Sequence, residues 1–150
     1  MITSASFAFL HFFAVFGIVG TLFFEWLTLD RALTLVAARR IQICDRWYGV
    51  CAAMLLVVGA LRVAYFEKGW AFYAVNPFFF VKIGLFLLIG LISIYPTIRF
   101  IKWGPQLKQG AAPVLAEREY TLIAIALRTE LVLLVGVALC ASLMARGIGI

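Results

Sequence analysis

The chain has 150 residues, of which 65% are hydrophobic and only 13% charged, and its mean hydropathy is +1.08. A soluble domain carries about 25% charged and 45–50% apolar residues, and disorder needs low hydrophobicity with high charge, so both are excluded. Three cysteines, an odd and small number, exclude a secreted disulfide scaffold. In a soluble chain the net charge of +6 would point to nucleic acid. In a membrane protein it is a by-product of topology, because basic residues gather on cytoplasmic loops and face anionic lipid heads there. No nucleic-acid partner is expected.

A helical span needs about 20 mostly apolar residues. Four windows meet that length, at about 5–29, 47–66, 78–98 and 120–144. None shows the alternating polarity of barrel strands. The expected fold class is therefore all-α, one transmembrane domain over 1–150 built as a four-helix bundle in lipid. No Lys or Arg precedes the first apolar run, and the run is too long for a signal h-region, so it reads as a retained helix. Residues 32–44 mix apolar side chains with Arg39-Arg40, which suits either an interfacial helix or an extension of the second span. Asn76 followed by Pro77 predicts a capped start for the third span. Pro96 falls near its end, and Gly104-Pro105 breaks the loop beyond. Glu117 and Glu119 suit the first turns of the fourth span, where negative charge favours the helix dipole. Gly147 after Arg146 predicts its stop. Trp47, Tyr73, Trp103 and Tyr120 fall at span ends, as interfacial aromatics do. The glycines inside the spans read as sites of close helix packing, and Cys44, Cys51 and Cys140 as packing residues.

Arg31, Arg39, Arg40 and Arg46 lie in or near the first loop, and Arg99, Lys102, Lys108 and Arg118 in or near the third. The second loop holds only Lys68 and the C-terminal end only Arg146. The positive-inside rule then puts loops one and three in the cytoplasm and both termini on the non-cytoplasmic side.

Ionisable groups within spans cost roughly 2.5–3.5 kcal/mol on insertion scales and are functional candidates by default. Here they are His11, Glu25, Arg62, Lys82, Arg128 and Glu130. Counted from the outer ends of their spans at 1.5 Å per residue, His11 lies ~9 Å deep and Arg62 and Lys82 ~6 Å deep. Three helices thus place an imidazole, a guanidinium and an ammonium in one outer layer. Each alone has a plain explanation: Arg62 and Lys82 can snorkel, and His11 can bond a backbone carbonyl. Snorkelling does not account for the shared layer. Two cations call for an anion. Glu67 is the nearby protein carboxylate, while Glu25 and Asp45 lie towards the opposite face. A bound carboxylate would satisfy Arg62 in a bidentate fork, and a neutral imidazole in apolar surroundings suits heme iron. Glu25 shares a helical face with His11, and a Glu25–Arg128 pair in the inner half is plausible. Glu130 lies on a different face from Arg128 and is expected to be protonated or paired. Structural glue between helices is the preferred reading for these three buried charges, with proton transfer as the other. No P-loop, HExxH, CxxC or dinucleotide turn is present, and the cysteine spacing suits no metal.

The strings Tyr48-Gly49, Gly59-Ala60-Leu61-Arg62-Val63 and Asn76-Pro77-Phe78-Phe79-Phe80-Val81-Lys82, with Tyr73 between, resemble a bacterial family of small four-span inner-membrane proteins of unknown function. The Leu10-His11 start and the Met144-Ala145-Arg146-Gly147 end are similar too, so the resemblance covers nearly the whole chain. More remotely, the layout is similar to the membrane-embedded, oxygen-independent protoporphyrinogen oxidases and their copper-resistance-D relatives. The histidine, arginine and lysine of that pattern match His11, Arg62 and Lys82, with Phe78 where that family has tryptophan. This remote resemblance implies heme b, His11 as iron ligand, and the two cations near carboxylates, with Tyr65, Tyr73 or Asn76 lining the mouth. If the protein is an enzyme, it would be a heme-dependent oxidoreductase passing electrons to quinone. The rival expectation is a non-enzymatic subunit or assembly factor in a homo-oligomer or membrane complex. A small transporter comes third, since no span is broken mid-membrane and no inverted repeat is visible.

Overall fold

The computed structural model describes residues 2–66 and 69–149. Glu67 and Lys68, invoked above as the local carboxylate and the second-loop cation, lie outside the described residues. Four helices are long and apolar enough to cross a membrane. α1 runs Ile2–Thr28 and α2 Leu35–Leu61, followed by a π-helical turn at Arg62–Phe66. A short α3 (Trp70–Ala74) leads into α4 (Pro77–Lys102). α5 (Gly104–Lys108) precedes α6 (Glu117–Ala145).

The exposure pattern is that of a protein in lipid. Phe16 is 75% exposed, and Val132 and Val135 are each 70% exposed, while Glu25 and Glu130 are 1% and 0% exposed. Without a hydrophobic force between helices in lipid, packing and polar contacts must join them. α1 packs tightly on α2, and α4 on α6, as two antiparallel hairpins. The hairpins meet more sparsely, α1 on α6 and α2 on α4. Among the described residues the backbones of the diagonal pairs, α1 with α4 and α2 with α6, do not approach closely. The section is thus a square, with one hairpin along each of two opposite sides.

Local chemistry explains the boundaries. α2 begins at Leu35, so residues 35–44 extend the helix ahead of the span expected from 47. Thr34 is the cap, its Oγ1 accepting the Ala37 N–H at 3.1 Å. The extension has a task. Gln42 donates from Nε2 to the Phe100 carbonyl and Arg39 donates to the Leu107 carbonyl at 3.0 Å, so the extension ties α2 to the end of α4 and to α5. Pro96 does not end its helix; it sits buried inside α4, which continues to Lys102. Trp103 is also not an interfacial residue. It is 4% exposed and packs on Phe100 at 4.9 Å between ring centroids.

The loops at the α1–α2 turn and before α6 come together. Ala32 bridges Val114, the Leu115 N–H bonds the Arg31 carbonyl at 3.2 Å, and Arg31 pairs with Glu117 at 2.9 Å. At the other end Asn76 caps α4, its Oδ1 accepting the Phe78 N–H at 3.0 Å. Its Nδ2 donates to the Ile148 carbonyl at 3.2 Å. Gly147, at φ 74°, ends α6 in a Schellman motif: its N–H bonds Met144, and the Ile148 N–H bonds Leu143. Asn76→Ala removes both side-chain bonds. We expect a loss of about 1 kcal/mol from the cap alone, read as a lower melting temperature in detergent, with Asn76→Asp recovering the cap bond but not the Ile148 bond.

Candidate functional site

The contacts between helices fix relative depths. Gly17 lies against Cys51, and His11 against Gly59, so α1 and α2 run in a register that sets Glu25 level with Cys44 and Asp45. Asp45 accepts from the Thr97 hydroxyl at 2.6 Å, which puts this level on α4 at Thr97. Gly136 against Leu85 then places Glu130 of α6 about two turns deeper in the bundle. Tyr48, one turn beyond Asp45 on α2, spans the gap. Its hydroxyl donates to Glu130 Oε2 at 3.2 Å across the diagonal of the square, with Ser93 of α4 beside it.

Three carboxyl groups from three helices thus lie in the core of the bundle. All three are buried, at 1%, 8% and 0% exposure for Glu25, Asp45 and Glu130. Among the described residues neither glutamate is in an ion pair. Oε1 of Glu25 and Oε1 of Glu130 have no hydrogen-bond partner. The expected Glu25–Arg128 pair does not form. Arg128 is exposed rather than buried, its guanidinium 5.9 Å from the centre of the Trp26 ring. Its place on α6 turns it outward, one side chain's reach from an indole and away from the core. Asp45 is the site residue that sequence reasoning did not select. It was placed at a membrane face because the second span was started at 47. The capping Thr34 was the available signal that the helix begins earlier.

Among the described residues no three His, Cys, Asp or Glu side chains are grouped closely enough to hold a metal ion. Free Cys44, Cys51 and Cys140 are spread over the two hairpins.

The outer layer has a different arrangement. His11 is half-buried, its imidazole against Gly59, and Arg62 follows three residues later at the start of the π turn. The same registers carry Lys82 to about the level of Gly59, so His11, Arg62 and Lys82 share a depth to within about one turn. α1, which carries His11, packs on the π turn that begins at Arg62, whereas α1 and α4, which carry His11 and Lys82, are diagonal. Lys82 lies with its ammonium 5.5 Å from the centre of the Phe79 ring. The proposed lining residues are differently placed. Asn76 is fully buried and its amide is committed to the Phe78 N–H and the Ile148 carbonyl. Tyr73 is buried at 7% exposure against Phe79, with 5.3 Å between ring centroids. Tyr65 is 76% exposed on the π turn. Asn76 and Tyr73 therefore build the α3–α4 corner rather than an open mouth.

The glycines divide. A Cβ on Gly17 would lie 2.4 Å from Cys51 Sγ, and one on Gly136 would lie 3.2 Å from Leu85. Gly20, Gly49, Gly84 and Gly90 have nothing within 4 Å, so close packing does not explain them.

A family model described as predicted membrane protein (DUF2214) matches residues 3–149. The chain belongs to the DUF2214 family. The match takes in all four spanning helices and both the carboxyl cluster and the outer layer. No curated protein and no solved structure matches.

Proposed function

We propose that this DUF2214 membrane protein handles protons inside the bilayer, and that Asp45, Glu25 and Glu130 are the groups that carry them. The observation behind this is the burial of three like-charged side chains from three helices with no cation paired to either glutamate. Structural glue between helices works through opposite charges or complete hydrogen bonding. Here two carboxyl oxygens in the core have no partner, which is a cost without a structural return. A carboxyl that takes up and releases a proton accounts for that cost, and intramembrane carboxyls are the usual elements of proton relays. Tyr48 adds a hydroxyl that can both give and accept a proton beside Glu130. The loop charges support placing the α1–α2 and α5–α6 connections on the cytoplasmic side of a bacterial inner membrane. The test is proton flux in proteoliposomes under an imposed pH gradient, read with an entrapped pH dye. Vesicles with the protein are expected to equilibrate faster than empty ones, and Glu25→Gln to return them towards the empty rate. Equal rates with and without the protein would remove the proposal and favour a non-enzymatic subunit or assembly factor.

A second reading rests on the common depth of His11, Arg62 and Lys82. It is tetrapyrrole binding with a redox role, in which His11 would ligate heme iron and the two cations would hold propionates. Heme would supply one-electron chemistry; the chain's own part would be to fix the imidazole against Gly59 and keep Lys82 beside Phe79. Protein purified in mild detergent and offered heme is expected to show a Soret band that His11→Ala abolishes. A colourless protein would end this reading and leave the carboxyl cluster untouched.

A further inference from the structure

A cavity of about 360 Å³ opens between α2 and the junction of α4 with α5. Its lining includes Gln42, Asp45, Arg46, Phe100, Gly104 and Lys108. Asp45 therefore belongs to two places at once. It forms part of the cavity wall, and it belongs to the buried cluster with Glu25 and Glu130. The cavity is large enough for several waters and has the polar partners that water needs. Its wall is held open by bonds already described. Gln42 is fixed to the Phe100 carbonyl and Asp45 to Thr97, which pins the two sides in place. Arg46 and Lys108 are both exposed and stand where the cavity meets the surface. No comparable polar opening is needed at Glu130, because Tyr48 connects it to the Asp45 level.

We propose that this cavity is the port through which water delivers protons to the carboxyl cluster, from the α1–α2 and α5–α6 end alone, with Asp45 as the first acceptor. The inference rests on the proton-handling reading and adds its point of entry and its sidedness. A hydronium ion arriving through the cavity water gives its proton to an Asp45 carboxylate oxygen and is left as water. Transfer onward to Glu25, at the same level, restores the Asp45 carboxylate. Glu130 and Tyr48 lie deeper. The groups around Asp45 are Thr97 on α4, which bonds it, Glu25 at the same level on α1, Arg46 on its own helix and Lys108 on α5, which lines the cavity with it.

Two measurements test the port, both on full-length protein with Cys44, Cys51 and Cys140 replaced by alanine. In the first, Asp45→Cys is treated in oriented vesicles with a membrane-impermeant maleimide. Alkylation is expected from the loop end and not from the opposite side. In the second, Gly104→Cys with native Asp45 is labelled after folding with a bulky thiol reagent, and labelling is expected to cut proton flux about tenfold, as for an occluded polar pathway. A Cβ at Gly104 would meet only Gln42 Nε2, at 3.9 Å, so the substitution itself is mild. Flux unchanged after complete labelling, or alkylation at position 45 only from the opposite side, would overturn the port and leave the proton-handling reading standing. Absence of flux in the unlabelled protein would overturn both.

Discussion

Glu130→Gln is expected to lower proton flux by about a hundredfold, within the range that a positioned acid–base group contributes, while leaving the fold almost as stable as before. The amide keeps an oxygen that can accept the Tyr48 hydroxyl, now 3.2 Å from Glu130 Oε2, and it fills the same volume. It lacks only the ability to take and release a proton. Glu130→Leu separates the two contributions. It also removes the acceptor of a buried tyrosine hydroxyl, so a stability loss of about 1–3 kcal/mol is expected in addition to the loss of flux. Flux and melting temperature measured together on the two variants decide the matter. If Glu130→Gln kept full flux, Glu130 would be no part of the relay. If it unfolded the protein, the carboxyl would be structural.

The second large effect is expected at Gly17. α1 and α2 approach so closely there that a single added carbon would lie 2.4 Å from Cys51 Sγ. Gly17→Leu must push the hairpin apart or displace the thiol, and a loss of about 3 kcal/mol is expected from overpacking of this kind. Gly17→Ala with Cys51→Ala should recover most of the stability of the parent, because the sulfur is the nearest obstacle and the next atom, Cys51 Cβ, stands at 3.3 Å. A double-mutant cycle read by thermal unfolding in detergent measures the coupling. Near-additive losses would show that the two residues do not meet as described.

Composition was enough to identify a helical membrane bundle, because burial in lipid requires long apolar runs whatever else the chain does. The helix start at Asn76 and the stop at Gly147 were equally legible, since each depends on neighbours within a few residues. Of the two readings of the segment before 47, an interfacial helix or an extension of the second helix, the structure shows the extension, and the sequence left both open because Arg39 and Gln42 look like surface residues until their partners are known. Those partners, the carbonyls of Leu107 and Phe100, are remote in sequence. The same gap hid Asp45. The depths of His11, Arg62 and Lys82 could be counted from span ends, whereas the diagonal placement of α1 and α4 depends on how two hairpins pack and leaves no mark on either one alone. Arg128 and Glu25 lie in the same half of the membrane, but that does not set which way a guanidinium turns; Trp26 provided a face for it.

The square of helices has one further consequence. The tight contacts lie within each hairpin, and the polar ones, Asp45 with Thr97 and Tyr48 with Glu130, lie between hairpins. Glu25 and Asp45 travel with one hairpin, and Glu130 with the other. The separation of the first two carboxyls from the third is therefore set by how one hairpin packs on the other, and by the Asp45–Thr97 and Tyr48–Glu130 bonds that join them.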